Sequence, residues 1–266
     1  LPDGRLHLYA LDVGQGDALL LRTPGGRTIL VDGGSDPLTL TSHLGRILPF
    51  WQRRIDLVVA THGDSDHLAG LVPVVERYEV GYVLEPADMG ATALVAQWHA
   101  SLETADVEII PAARGQRLHF GDGLIVKVLH PPAGVERVAE SDDNENSVVL
   151  RVRMGRCTML LTGDIGTQTE ERLLDQGLLS HATLLKVAHH GADSSTSGAF
   201  LSATSPEIAI ISVGADNRSG HPSDRVLEAL QAVDCNVIRT DLHGTIEYVT
   251  DGRRSWIKKH STLPRK

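Results

Sequence analysis

The sequence predicts an α/β fold in which two sheets pack together with helices outside. Three observations predict it: short apolar runs of strand length recur in both halves of the chain, helix-like segments alternate with them after the first third, and glycine-rich turns separate the early runs. Leu6 to Leu11, Ala18 to Arg22 and Thr28 to Val31, with Gly14, Gly16, Gly25 and Gly26 between them, read as a strand meander. A helix over 37–49, an apolar strand Ile55 to Thr61 and a helix starting near Asp66 follow. Strands are then expected at Gly81 to Leu84, Val107 to Ile110, Leu124 to Leu129, Ser147 to Arg153 and Thr158 to Leu161, with a helix over Ala91 to Thr104. Residues 167–177 and 223–232 read as helices, Leu184 to Ala188 and Ile208 to Val213 as buried strands, and Asn236 to Lys259 as a return to strands. The stretch Pro131 to Glu145 reads as a long loop, a length that is often functional.

A chain of 266 residues with 41% hydrophobic content can bury one large core, so 1–266 is read as one domain. No apolar run reaches the length of a membrane span, and the piece is expected to be soluble. It begins at Leu1 rather than Met, which suggests a processed form or a domain cut from a longer protein. Cys157 and Cys235 are too few for a disulfide framework and sit in apolar, strand-like stretches as small hydrophobes. The net charge of −9 argues against a broadly basic nucleic-acid-binding face. Two bound divalent cations would reduce it to about −5.

The segment Thr61-His-Gly-Asp-Ser-Asp-His67 follows a buried-looking strand and precedes a helix. Its side chains therefore project from a tight loop at the end of a sheet, where ligands gather in α/β folds. His62, Asp64, Asp66 and His67 put two imidazoles and two carboxylates close together, a costly arrangement unless a cation neutralises it. The plain alternative is a solvated turn with Asp66 capping the helix. Asp164 ends another strand after a glycine, where it can bridge two ions or cap the next helix. His189 and His190 end a third. A two-ion centre suits hydrolysis, because it activates water and stabilises charge on the attacked group. Carboxylates in place of some imidazoles harden the site, favouring Mn²⁺ while leaving Zn²⁺ possible.

At these residues the sequence resembles the metallo-β-lactamase superfamily, whose signature is His-x-His-x-Asp-His followed by a His, a bridging Asp and a final His. Asp64 replaces the middle His, as in the ComEC competence-protein branch. Leu11-Asp-Val-Gly-Gln-Gly-Asp17, Val31-Asp-Gly-Gly34, Asn144-Glu-Asn-Ser147, His189-His-Gly191 and Gly220-His-Pro222 resemble the same branch in the same order. The resemblance implies a four-layer αββα sandwich with the metal centre at one edge. It also implies a soluble C-terminal nuclease domain of a multispanning membrane protein that imports DNA in natural transformation. That domain would degrade the non-imported strand on the extracytoplasmic side of the bacterial cytoplasmic membrane, beside the channel portion of the same polypeptide.

Carried over by residue, His62 and Asp64 would serve one ion, Asp66 and His67 the other, and Asp164 would bridge them. Either His189 or His190 would complete the second site. The superfamily's intermediate His has no clean counterpart; His130 and Asn146 are the candidates. Asp32 would support the metal loop from behind the ligands. Asp12, Asp17 and Asp32 all flank glycine turns, and turn formation is the plain role of each. Asp66, Asp164 and His221 are the candidate catalytic groups, His221 contacting a phosphate oxygen or protonating the leaving alkoxide. Ser194 and Ser195 could donate to phosphate near a helix start, or simply form a polar loop. The leading reading is a metal-dependent DNase. The competing ones are a small-molecule esterase or lactonase, which would favour an aromatic-lined pocket where aromatics are only 4%, and a metal-free DNA-binding module.

Overall fold

The computed structural model describes residues 2–134 and 143–259. The first sheet is begun by β1 (Leu6–Ala10), β2 (Leu19–Arg22), β3 (Thr28–Val31), β4 (Arg54–Val59), β5 (Glu79–Glu85) and β6 (Glu108–Pro111). The second comprises β7 (Arg117–His119), β8 (Leu124–His130), β9 (Val149–Met154), β10 (Cys157–Leu161), β11 (Leu184–Lys186), β12 (Ile208–Ile211) and β13 (Asn236–Arg239). The chain then returns to the first sheet as β14 (Ile246–Thr250) and β15 (Ser255–Lys259), giving the order β15-β14-β1-β2-β3-β4-β5-β6. Each sheet is antiparallel on one side and parallel on the other, the parallel parts being β3 to β6 and β10 to β13.

The period of two in each strand builds the layers. Leu19, Leu21, Leu57 and Val59 face Met159, Leu161 and Leu184 in a core between the sheets. The intervening Leu20 and Val58 point outward against α1 (Pro37–Ile47), α2 (Ser65–Leu68), α3 (Val72–Arg77) and α4 (Ala93–Thr104), through Leu40, Leu68, Val75 and Trp98. Leu160 and Leu185 likewise meet Leu173 of α5 (Thr167–Asp175), Phe200 of α6 (Gly198–Thr204) and Val226 of α7 (Asp224–Ala232). Helix, sheet, sheet and helix therefore form four layers, as expected. A fully buried Leu in such a layer contributes about 1.5–3 kcal/mol.

Local chemistry sets the ends of these elements. Asp36 accepts from Leu38 N and Thr39 N and starts α1, which stops at Ile47, short of the expected end. Thr92 caps α4 through Val95 N. The expected strand Ile55 to Thr61 ends at Val59, which frees Thr61 to hydrogen-bond sideways. Asn236 to Lys259 is not continuous strand: α8 (Thr240–His243) turns the chain from one sheet to the other. The short elements α3, α6 and β7 carry too few residues for a visible period. The expected loop Pro131 to Glu145 lies largely outside the described residues; its end enters a 3-10 turn, Asn144–Asn146. Cys157 and Cys235 are buried free thiols.

Candidate metal centre

Asp32 follows β3, His62 follows β4, Asp164 follows β10 and His190 follows β11. All four stand beyond the carboxyl ends of strands in the parallel half of each sheet, so the two sheets deliver their side chains to one edge. Backbone bonds knit three loops there: Asp17 N donates to Asp66 O (3.1 Å), Gly33 N to His67 O (2.6 Å), Gly34 N to Asp17 O (2.8 Å) and Gly70 N to Gly34 O (2.9 Å). The approach is close enough to demand glycine. A Cβ on Gly70 would lie 2.0 Å from Gly33 O, and one on Gly16 (φ +126°) 2.1 Å from Asp66 O.

Hydrogen bonding fixes how the imidazoles face. The Asp32 carboxylate accepts from Thr61 N (2.8 Å), the Thr61 hydroxyl (2.8 Å) and His67 Nδ1 (2.9 Å). Because the Thr61 proton is committed to Asp32, Thr61 Oγ1 must accept from His62 Nδ1 at 3.0 Å. His190 Nδ1 donates to the Ser212 carbonyl at 2.9 Å. In all three rings the Nδ1–H is used, which leaves the Nε2 lone pair for a ligand.

The Nε2 atoms of His62, His67 and His190 and Oδ1 of Asp164 are buried without a hydrogen-bond partner. His67 Nε2 lies 3.1 Å and His190 Nε2 3.3 Å from Asp164 Oδ2. Asp66 Oδ2 is 3.3 Å from His190 Nε2, and Asp64 Oδ2 is 3.7 Å from His62 Nε2. Orphaned lone pairs converging on a carboxylate are costly unless a cation meets them. Asp17, His67, Asp164 and His190 each offer an atom within 4.8 Å of the others. The cluster fits a divalent-metal site.

Electrostatics agree. Burial disfavours charge on His67, but Asp164 and Asp32 outweigh it and raise its pKa well above the ordinary value; burial is likewise overcome at His190, chiefly by Asp164. Burial would push Asp164 up, yet His190 and His67 hold it well below the carboxylate range. In metal-free protein, protons on these two rings occupy the role of the cation.

The structure separates the paired histidines. His189 (φ +48°), His190 (φ +54°) and Gly191 (φ +83°) form a left-handed turn. Strain of about 1–3 kcal/mol per non-glycine residue of this kind is characteristic of functional sites. His190 is buried among the carboxylates; His189 is half-buried beside His221, ring centroids 5.6 Å apart. His221 sits at the rim with Nδ1 buried and unpartnered, and burial followed by the neighbouring His189 lowers its pKa.

Other expectations change. Neither Asp66 nor Asp164 is a helix cap: the cap positions fall at Asp64, whose side chain makes no capping bond, and at Gly166. Ser195 does not face the site, since its hydroxyl donates to the Ala188 and Ala192 carbonyls (2.9 and 3.1 Å). Ser194 is exposed, its carbonyl accepting from Thr167 N. His130 donates from Nδ1 to Ser147 O and is held neutral by burial, its pKa near 4. Asn146 is buried in the 3-10 turn just before Ser147. Ser147 escaped the sequence reading: its hydroxyl accepts from Asp164 N (3.2 Å) and lies 3.3 Å from His62 Nδ1, tying the two metal loops together. Asp17, expected only to form a turn, and Lys186, given no role, are both buried, with Lys186 Nζ 2.5 Å from Asp17 Oδ2.

The sandwich and its strand-end cluster define a recognisable class. Residues 11–215 match the metallo-beta-lactamase superfamily, and the chain belongs to it. Among curated relatives, it is 31% identical over 261 residues to ComE operon protein 3 of Bacillus subtilis (strain 168), covering 90% of this chain and 32% of that one. It is 30% identical over 250 residues to competence protein ComA of Neisseria gonorrhoeae, covering 93% and 33%. The chain thus spans about a third of the length of these relatives. Among solved structures, the metallo-beta-lactamase fold protein YhfI from Bacillus subtilis superposes with a TM-score of 0.61 at 14% identity, covering 96% of this chain and 100% of that one.

Proposed function

We propose that this chain is the metal-dependent phosphodiesterase unit of a DNA-uptake protein, degrading the strand that is not imported. The observation that carries the reading is the convergence of three imidazole Nε2 atoms and Asp164 Oδ1, buried and unpartnered, at the shared edge of two sheets. The competence-protein relatives point to DNA as the phosphodiester. His62 and Asp64 would hold one ion, Asp66, His67 and His190 the other, and Asp164 both. When bound, the ions supply an activated water at neutral pH and stabilise charge on the phosphoryl oxygens. Among the described residues, no helix is long and apolar enough to cross a membrane. The reading includes a membrane-channel portion elsewhere in the same polypeptide, with this unit on the extracytoplasmic face; the relatives, about three times as long as this chain, leave room for such a portion.

The residues divide the work. Asp32 orients His62, through Thr61, and His67 directly. Asp64, half-exposed, stands at the entrance. At the rim, His221 would contact a phosphate oxygen or, when protonated, protonate the leaving alkoxide, with His189 beside it on the substrate side. Mn²⁺ suits this carboxylate-rich set, and Zn²⁺ is the competing ion.

The reading is tested by digestion of single- and double-stranded DNA beside bis-p-nitrophenyl phosphate, across Mn²⁺, Zn²⁺ and Mg²⁺. Cleavage of DNA with Mn²⁺ and its loss in chelator are expected; turnover of the small diester with none of DNA would favour a small-molecule esterase. The paired histidines give a second expectation. His190→Ala should lower the bound metal measured after gel filtration, whereas His189→Ala should keep the wild-type content and lose turnover. Equal metal loss in both would contradict the assignment.

A further inference from the structure

We propose that Lys186 and Asp17 form a positioning pair for the imidazole of His190, a counterpart to Asp32 behind His67; the inference rests on the two-ion reading above. Lys186 is the last residue of β11, and the strand's period of two places it on the same face as Leu184, between the sheets. Its side chain is 1% exposed and that of Asp17 2%. An ammonium so buried is costly without a carboxylate and hydrogen bonds, and Nζ has both: Asp17 Oδ2 at 2.5 Å and the Val187 carbonyl at 2.8 Å.

The other carboxylate oxygen of Asp17 gives the pair a purpose. Oδ1 has no hydrogen-bond partner and lies 3.4 Å from His190 Nδ1, the edge of the ring opposite the one that meets Asp164 and Asp66. Asp17 therefore stands behind His190, on the side of the ring whose Nδ1–H donates to the Ser212 carbonyl. With one oxygen held by Lys186, the carboxylate is anchored on the Nδ1 side of the ring. Each imidazole of the second site then has its own carboxylate behind it, Asp32 for His67 and Asp17 for His190. The Asp17–Lys186 contact also joins a loop of the first sheet to a strand of the second.

The test is Mn²⁺ titration calorimetry on wild type and on the double variant Asp17→Asn with Lys186→Met. The double change removes one negative and one positive charge, so the site's net charge is unaltered and a change in affinity reports orientation. Metal-free melts of both proteins serve as the control for folding, and His62→Ala identifies the isotherm of the first ion. The expected result is an unchanged first site and a second site weakened about 10–100-fold. Two sites of wild-type affinity in the double variant, or equal weakening of both, would overturn the inference while sparing the two-ion reading. A wild-type protein that takes up fewer than two ions would overturn both. If the double variant does not fold, Asp17→Asn alone, which preserves side-chain shape, reads the same contrast between the sites.

Discussion

Asp164→Ala is expected to lower metal-dependent phosphodiester cleavage about a thousandfold or more, while leaving a cooperative melt in chelator. Removing a single charge-stabilising donor from a catalytic site costs about 10²–10³ in rate. Asp164 does more than one donor: its Oδ2 lies within 3.3 Å of His67 Nε2 and His190 Nε2, both assigned to the second ion, and as the proposed bridge it would serve the first as well. The fold should survive, because no helix depends on Asp164 as a cap and its backbone N–H, which donates to Ser147 Oγ, is retained. Metal content and cleavage are to be measured on the same preparation. Cleavage persisting in the variant, and in wild type with chelator, would remove the metal centre from the mechanism.

The second large effect is an opposite response to pH with and without metal. In metal-free protein His67 and His190 are held above the ordinary histidine value of 6.5, despite burial, by Asp164 and its neighbours. Groups raised on folding stabilise fully below their unfolded value, and that stability is lost as pH rises through the raised values. Asp164, depressed from 3.8, stabilises above that value and loses the contribution as pH falls through its depressed one. The metal-free protein should thus melt at lower temperature as pH rises above the ordinary histidine value of 6.5. Ligation requires neutral imidazoles, so metal binding releases protons and tightens over the same range. Melting curves with chelator and with Mn²⁺ should diverge with rising pH. Parallel curves would mean that these imidazoles do not exchange protons for metal.

Much of this was legible in local pattern. The apolar runs Ala18 to Arg22 and Ile55 to Thr61 and the helical segment 37–49 read as elements from local pattern, and the structure buries Leu19 to Leu21, Leu57 to Val59, Leu40 and Leu44 in its cores. The density of ligand types in His62 to His67 was equally plain, since no solvated turn needs two imidazoles and two carboxylates so close together. Ser195 was left open between two roles because a hydroxyl in a polar loop looks the same whether it faces a substrate or, as here, closes its own turn on Ala188 O.

By itself, then, the sequence determined the α/β layering, the order of the strand-end motifs and the candidate donors in His62, Asp64, Asp66, His67 and Asp164. These depend on spacing and residue type, which are local. Only the tertiary structure set His190 among the carboxylates and His189 beside His221, because a left-handed turn sends adjacent side chains in directions that periodicity does not encode. It alone gave Asp17 its neighbours: a carboxylate in a glycine turn is ordinarily solvated, and Asp17 becomes buried only when Lys186, far along the chain, arrives from the facing sheet.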